Sequence, residues 1–100
     1  MNFDNKNDPF KEGPSYSIHI RIQQRNGRKS WTTVEGIPED LDKKKILKYL
    51  RKCFSTNGTV ITDNDGREII ILQGDQRNNV YTSFINWNIS EKQHLHIHGA

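Results

Sequence analysis

The chain has 100 residues, the length of one small domain, with 15 Lys and Arg against 12 Asp and Glu and a net charge of +3. Only 32% of it is hydrophobic, and its longest apolar run, Ile69–Leu72, falls far short of the ~18 residues of a membrane span, so no membrane contact is expected. The single cysteine, Cys53, has no internal disulfide partner. That excludes a disulfide-stapled scaffold and fits a reducing compartment.

Residues 1–14 are polar, aperiodic and interrupted by Asp8-Pro9 and Gly13-Pro14, the pattern of a disordered N-terminal tail. The opening Met1–Lys6 lacks the basic-then-apolar order of a signal peptide, so the expected location is cytoplasmic. A single α+β domain is expected over 15–100. Ile18, Ile20 and Ile22 alternate with Ser17, His19, Arg21 and Gln23, a strand with one buried face. Asn26-Gly27 marks a hairpin turn, because both residues tolerate positive φ. Ser30–Glu35, rich in β-branched and aromatic side chains, is the returning strand.

Gly36-Ile37-Pro38 breaks that strand, and Asp40 or Asp42 caps the helix that follows. Ile46, Leu47, Leu50, Cys53 and Phe54 form an apolar stripe on a helix of about 13–15 residues. Its lysines are assigned to the other sides, and Cys53 to inert packing. Asn57-Gly58 reads as the helix stop. Gly58–Thr62 is a strand, Asp63–Gly66 a turn, and Glu68–Gln73 an interior strand. Asp75 is the expected N-cap of a second helix whose apolar face is Val80, Phe84, Ile85 and Ile89. Leu95 and Ile97, set between His94, His96 and His98, make a last strand. The order β-β-α-β-β-α-β predicts a two-layer α/β plait: a five-stranded mixed sheet with two helices on one face. The candidate core is Ile18, Ile20, Ile22, Val34, Ile46, Leu47, Leu50, Phe54, Val60, Ile70, Leu72, Val80, Phe84, Ile85, Leu95 and Ile97.

No pattern points to catalysis. The glycines are isolated at turns, with no phosphate loop, and the carboxylate pair Glu39-Asp40 is explained by a turn; no catalytic residue and no cofactor is expected. His94, His96 and His98 alternate on one strand and would share a side, joined by His19 if the first and last strands are neighbours. Ligands 6–7 Å apart along one strand do not by themselves converge on a metal, so no metal site is assigned. The charge is segregated. Residues 21–29 hold four cations and no acid, residues 43–52 hold six cations and no acid, and 63–77 is net acidic. Positive patches of this kind attract polyanions, although a solvated helix face gives the same pattern. The hairpin tip Arg25-Asn26-Gly27-Arg28-Lys29 places three cations on a tight turn, a compact probe for phosphates. Aromatic side chains are sparse beside it, which favours backbone and shape contacts to a folded RNA over base stacking.

The run Ile18–Lys29, I-H-I-R-I-Q-Q-R-N-G-R-K, resembles the opening of the eukaryotic translation initiation factor 1 family. Thr32–Ile37, Asp42–Leu47, Asn57–Val60, Leu72–Arg77 and His98-Gly99 continue the likeness in order over about residues 16–99. Trp31 stands where the family commonly has Leu, and Trp87-Asn88 is unusual for its second helix. The resemblance implies an α/β plait behind a disordered tail, and a non-enzymatic protein that is monomeric when free. It implies binding to the small ribosomal subunit near the P site, with initiator tRNA and mRNA nearby, and work alongside initiation factors 1A, 2, 3 and 5. It implies that the factor promotes scanning and start-codon fidelity by opposing premature tRNA accommodation. It assigns ribosomal RNA contacts to Arg25, Asn26, Gly27, Arg28 and Lys29, and further contacts to Lys43, Lys44, Lys45 and Lys48. It turns the loop Asp63, Asn64, Asp65 and Gly66 toward the tRNA. It makes Gly74, Asp75, Gln76 and Arg77 a motif that is structural or meets a partner, with Arg77 either at that partner or paired locally. The competing readings are a general RNA-binding protein and a ribosome-associated factor of the same fold acting in reinitiation or stress.

Overall fold

The computed structural model describes residues 16–25 and 29–99, with only the backbone of Arg25. The expected tail over 1–14 lies outside the described residues, as do Asn26, Gly27 and Arg28 at the hairpin tip. Five strands, β1 (Ile18–Arg25), β2 (Lys29–Glu35), β3 (Gly58–Thr62), β4 (Glu68–Gln73) and β5 (Leu95–His98), form one sheet in the order β3-β4-β2-β1-β5. All neighbours are antiparallel except β1 and β5, which run parallel. Helices α1 (Lys43–Phe54) and α2 (Arg77–Asn86) cover one face, α1 over β3 and β4, α2 over β1 and β5. This is the predicted two-layer α+β architecture.

The alternation in β1 does what period two requires. Ile18 and Ile20 are fully buried under the helices, beside Val34, Ile70 and Leu72 from the neighbouring strands and Leu50, Val80 and Phe84 from the helices. Each such side chain contributes ~1.5–3 kcal/mol gross. Two expected core residues fall short because they lie at the sheet's margin. Ile22 is half-buried, since the β5 ladder stops at Arg21↔His98 and leaves it a neighbour on one side only. Ile97, on edge strand β5, is 40% exposed. Phe54, Val60 and Ile85 are partly buried against the core, and Ile37, not expected there, is buried in it.

Local chemistry sets the boundaries. Asp42 caps α1, its carboxylate accepting from the Lys45 N–H at 3.2 Å. The helix ends at Ser55, which takes the left-handed conformation (φ 50°) and donates its N–H to the Arg51 carbonyl. The helix therefore stops two residues before the expected Asn57-Gly58 signal, at a different residue. Gly58 instead opens β3, where a Cβ would stand 2.6 Å from the Ile71 carbonyl oxygen and 2.7 Å from a Leu72 methyl. Gly36, at φ +86°, is needed for the same reason: a Cβ there would overlap the Ser17 carbonyl. Asp75 is not the α2 N-cap. Gln76 holds that position without a side-chain capping bond, and Asp75, one residue before it, accepts from the Arg77 N–H at 3.3 Å.

Candidate nucleic-acid interface

The strand registers fix which candidate residues meet. Arg25 pairs with Lys29 at the end of the β1–β2 ladder, Trp31 pairs with Gln73 at the end of β4, and Gly58 pairs with Leu72 at the start of β3. The hairpin base, the Gly74–Arg77 motif and the C-terminal end of α1 thus gather at one end of the sheet. Main-chain and side-chain bonds tie them together. The Gly74 N–H donates to the Ser30 carbonyl at 2.8 Å and the Gln73 N–H to the Asn57 carbonyl at 2.9 Å. The Thr56 hydroxyl donates to the Gln73 carbonyl at 3.1 Å. At the centre is Thr32, fully buried. Its hydroxyl donates to the Gly74 carbonyl and accepts from the Gln76 N–H, both at 2.7 Å. Sequence reasoning placed Thr32 only as a β-former; the signal lay in a β-branched hydroxyl at a core-facing position of β2, opposite a loop with free backbone groups.

The cations of α1 separate into two kinds. Lys44, Lys45, Lys48, Arg51 and Lys52 are exposed. Lys43 is not: it falls on the stripe 43, 47, 50, 54, is buried at 6% exposure, and places its ammonium 3.8 Å from Glu68. A buried lysine needs such a partner, so Lys43 is committed inside the fold. The signal was its helical phase, four residues before Leu47. At the other end of α1, Lys48, Arg51, Lys52, Ser55, Thr56 and Asn57 line an open concavity of about 470 Å³. Arg51 and Lys52, in the last turn, complement the partial negative charge of the helix C-terminus. Lys29, exposed at the hairpin base, stands at the same end of the sheet.

Arg77 pairs locally. Its Nε and Nη2 donate to the two Asp75 carboxylate oxygens at 2.9 and 2.8 Å, and its Nη1 donates to the His98 carbonyl at 3.1 Å. The guanidinium's hydrogen bonds hold the Asp75 carboxyl below its ordinary range and raise Arg77 in turn. The acidic turn Asp63–Gly66 stands at the opposite end of the sheet, past Thr62↔Glu68. Asp63 staples it, accepting from the Asp65 and Arg67 N–H groups, both at 2.9 Å, while Gly66 supplies φ +83°. The hairpin cations and the acidic turn are thus not brought together, whereas Lys43, Lys44 and Lys45 begin α1 at the acidic end, where Lys43 meets Glu68.

The remaining features depart from the sequence reading in part. His94 belongs to a 3₁₀ turn, Lys92–His94, where it stacks on Tyr16 at 4.5 Å, so it does not join His96 and His98. His19 does. Among the described residues no group of three or more metal-ligating side chains has the geometry to hold a metal ion. Cys53 is exposed and lines a shallow apolar groove of about 440 Å³ with Leu41, Ile46, Tyr49, Trp87 and Ile89. Trp87 is a surface residue there, edge-on to Tyr49 with ring centroids 6.0 Å apart. No helix among the described residues is long and apolar enough to cross a membrane.

Comparison with known proteins gives the family and the fold. The family described as Translation initiation factor SUI1 matches residues 14–90. The Protein translation factor SUI1 of Eremothecium gossypii is 51% identical, over 92% of this chain and 91% of its own length. The Eukaryotic translation initiation factor 1 of Mus musculus is 49% identical, over 92% of this chain and 81% of its own. A crystal structure of the C-terminal domain of human eIF2D has the same fold, with a TM-score of 0.65 at 19% identity, over 83% of this chain and 43% of that one. The chain belongs to the SUI1 family of translation initiation factors.

Proposed function

We propose that this protein acts in translation initiation by binding the small ribosomal subunit near the P site, where it favours scanning and opposes premature accommodation of initiator tRNA. The observation that carries this reading is the basic end of the molecule, in a chain of this family. Lys29 and the concavity of Lys48, Arg51 and Lys52 adjoin the hairpin whose tip sequence adds Arg25 and Arg28. Cations spread over a rigid, stapled surface suit the phosphates of a folded RNA. They position the protein without reading bases. Asp65 and its neighbours, held at the far end, place negative charge where an approaching nucleic acid would be repelled, a discriminating element that resists a tRNA seated fully in the site. Nothing in this mode calls for a cofactor or a catalytic group. Initiation factors 1A, 2, 3 and 5 are the proposed companions.

The test is binding of the labelled, full-length protein to purified small subunits, with large subunits and duplex RNA as controls. The reading predicts saturable, one-to-one binding to small subunits alone, weakened by salt as phosphate contacts require. Equal, salt-erased binding to all three would leave a general RNA-binding protein instead.

A further inference from the structure

A cluster unrelated to the basic end lies on the open face of the sheet, at its β5 edge. Parallel pairing sets His19 beside His96 and Arg21 beside His98, so all four side chains share that face. His19 Nδ1 lies 2.9 Å from His98 Nε2. The His19 ring stacks on His96 with centroids 5.3 Å apart and leans against His98 at 5.1 Å. A bond between two imidazole nitrogens needs a proton on one and a lone pair on the other. It survives with neither or one of the rings charged and fails when both are.

The surroundings favour the uncharged pair. Arg21 on β1 and His96 on β5 add positive charge. Glu35 on β2 is the counter-charge, and it already lies 3.8 Å from Arg21. On the α2 side, Arg77 donates to the His98 carbonyl while engaged with Asp75. Burial first, then the charges of His98, Arg21 and His96, hold His19 below the ordinary histidine value of 6.5. β5 is four residues long and, being an edge strand, is paired on one side only, so its hold on β1 is small to begin with.

We infer that the His19–His98 contact is an acid-sensitive latch, which fastens edge strand β5 to β1 and lets go when both rings take up protons. Release unpairs the β1 edge at Ile18–Arg21, lifts Leu95 from the core and withdraws the carbonyl that Arg77 holds. The direction follows from linkage. A base held below its free value stabilises the closed strand fully above pH 6.5, and that stabilisation is lost as pH falls from 6.5 through the lowered value.

The test is amide hydrogen exchange of the full chain by NMR, at pH 7.5 and 5.5, corrected for the intrinsic rate. Protection at Leu95–His98 is expected to fall about tenfold more than protection in the β2–β4 ladder. In His98→Gln, which keeps polar atoms but takes up no proton, that differential loss should vanish, while His96→Gln should retain it. Should His98→Gln fail to fold, judged by its β2–β4 protection, His19→Gln takes its place. An equal pH response in wild type and the glutamine variant, no response in wild type, or a loss shared by the whole sheet would each overturn the latch.

Discussion

Thr32 is a single hydroxyl that decides how the loop before α2 is seated. It is fully buried and satisfies two backbone groups, the Gly74 carbonyl and the Gln76 N–H. Thr32→Val keeps the shape and strands both groups away from water, at a cost of about 1–3 kcal/mol for a buried unsatisfied polar group. Thermal or urea denaturation should show that loss, and an unchanged midpoint would remove Thr32 from this role. Asp75 offers a second test at this scale. Its carboxyl is held below 3.8 by the Arg77 guanidinium, so its contribution is present above pH 3.8 and lost as pH falls through the lowered value. The pair is half exposed on the carboxylate side, and the effect is correspondingly small. Asp75→Asn should flatten the acid limb of a stability-against-pH curve; an identical acid limb would contradict the pairing. Lys43 marks the limit of charge counting. In the sequence it is one of six cations between 43 and 52, and only its phase on the helix, with Glu68 across from it, sets it apart from the other five.

α1 joins both halves of the account, one face in the core and the other in water. The apolar stripe at Ile46, Leu47 and Leu50 was legible because a helix repeats every 3.6 residues. The cap was legible as one of two aspartates, Asp40 or Asp42, of which the structure selects Asp42. The helix end was not: Ser55 adopts a left-handed conformation that serine seldom takes, while Asn57-Gly58 carries the stronger local signal. Gly58 serves packing, a close approach to Ile71 and Leu72 that no local pattern reports. The strands follow the same rule. Alternation placed Ile18 and Ile20 correctly. Ile22 and Ile97 are exposed in part because burial in a sheet depends on having neighbours on both sides, and strand order is not written in any one strand. The 3₁₀ turn ahead of β5, where His94 stacks on Tyr16, separates it from His96 and His98. At this scale the account predicts that Lys48→Ala, Arg51→Ala and Lys52→Ala together weaken small-subunit binding on the order of tenfold, by loss of phosphate contacts, while circular dichroism shows α1 intact. Undiminished binding would confine the RNA contact to the hairpin.

The whole molecule is polarised along its strands. The hairpin, the Gly74–Arg77 loop and the cationic end of α1 stand at one end, and the Asp63–Gly66 turn at the other. The basic end is assembled from segments that lie 17 to 44 residues apart in the sequence, whereas the acidic turn is one contiguous segment. Composition registered the charges and motif order pointed to the family, but which charges act together is a property of the register alone. In the proposed function the basic end carries binding to the small ribosomal subunit. That role is tested most directly by the salt dependence of that binding, for wild type and for the Arg25→Ala, Arg28→Ala, Lys29→Ala triple variant. The account predicts that the variant binds at least about tenfold more weakly at low salt and with a shallower dependence on salt, since fewer phosphate contacts release fewer counterions. Equal affinity and an equal salt slope for the two proteins would contradict it.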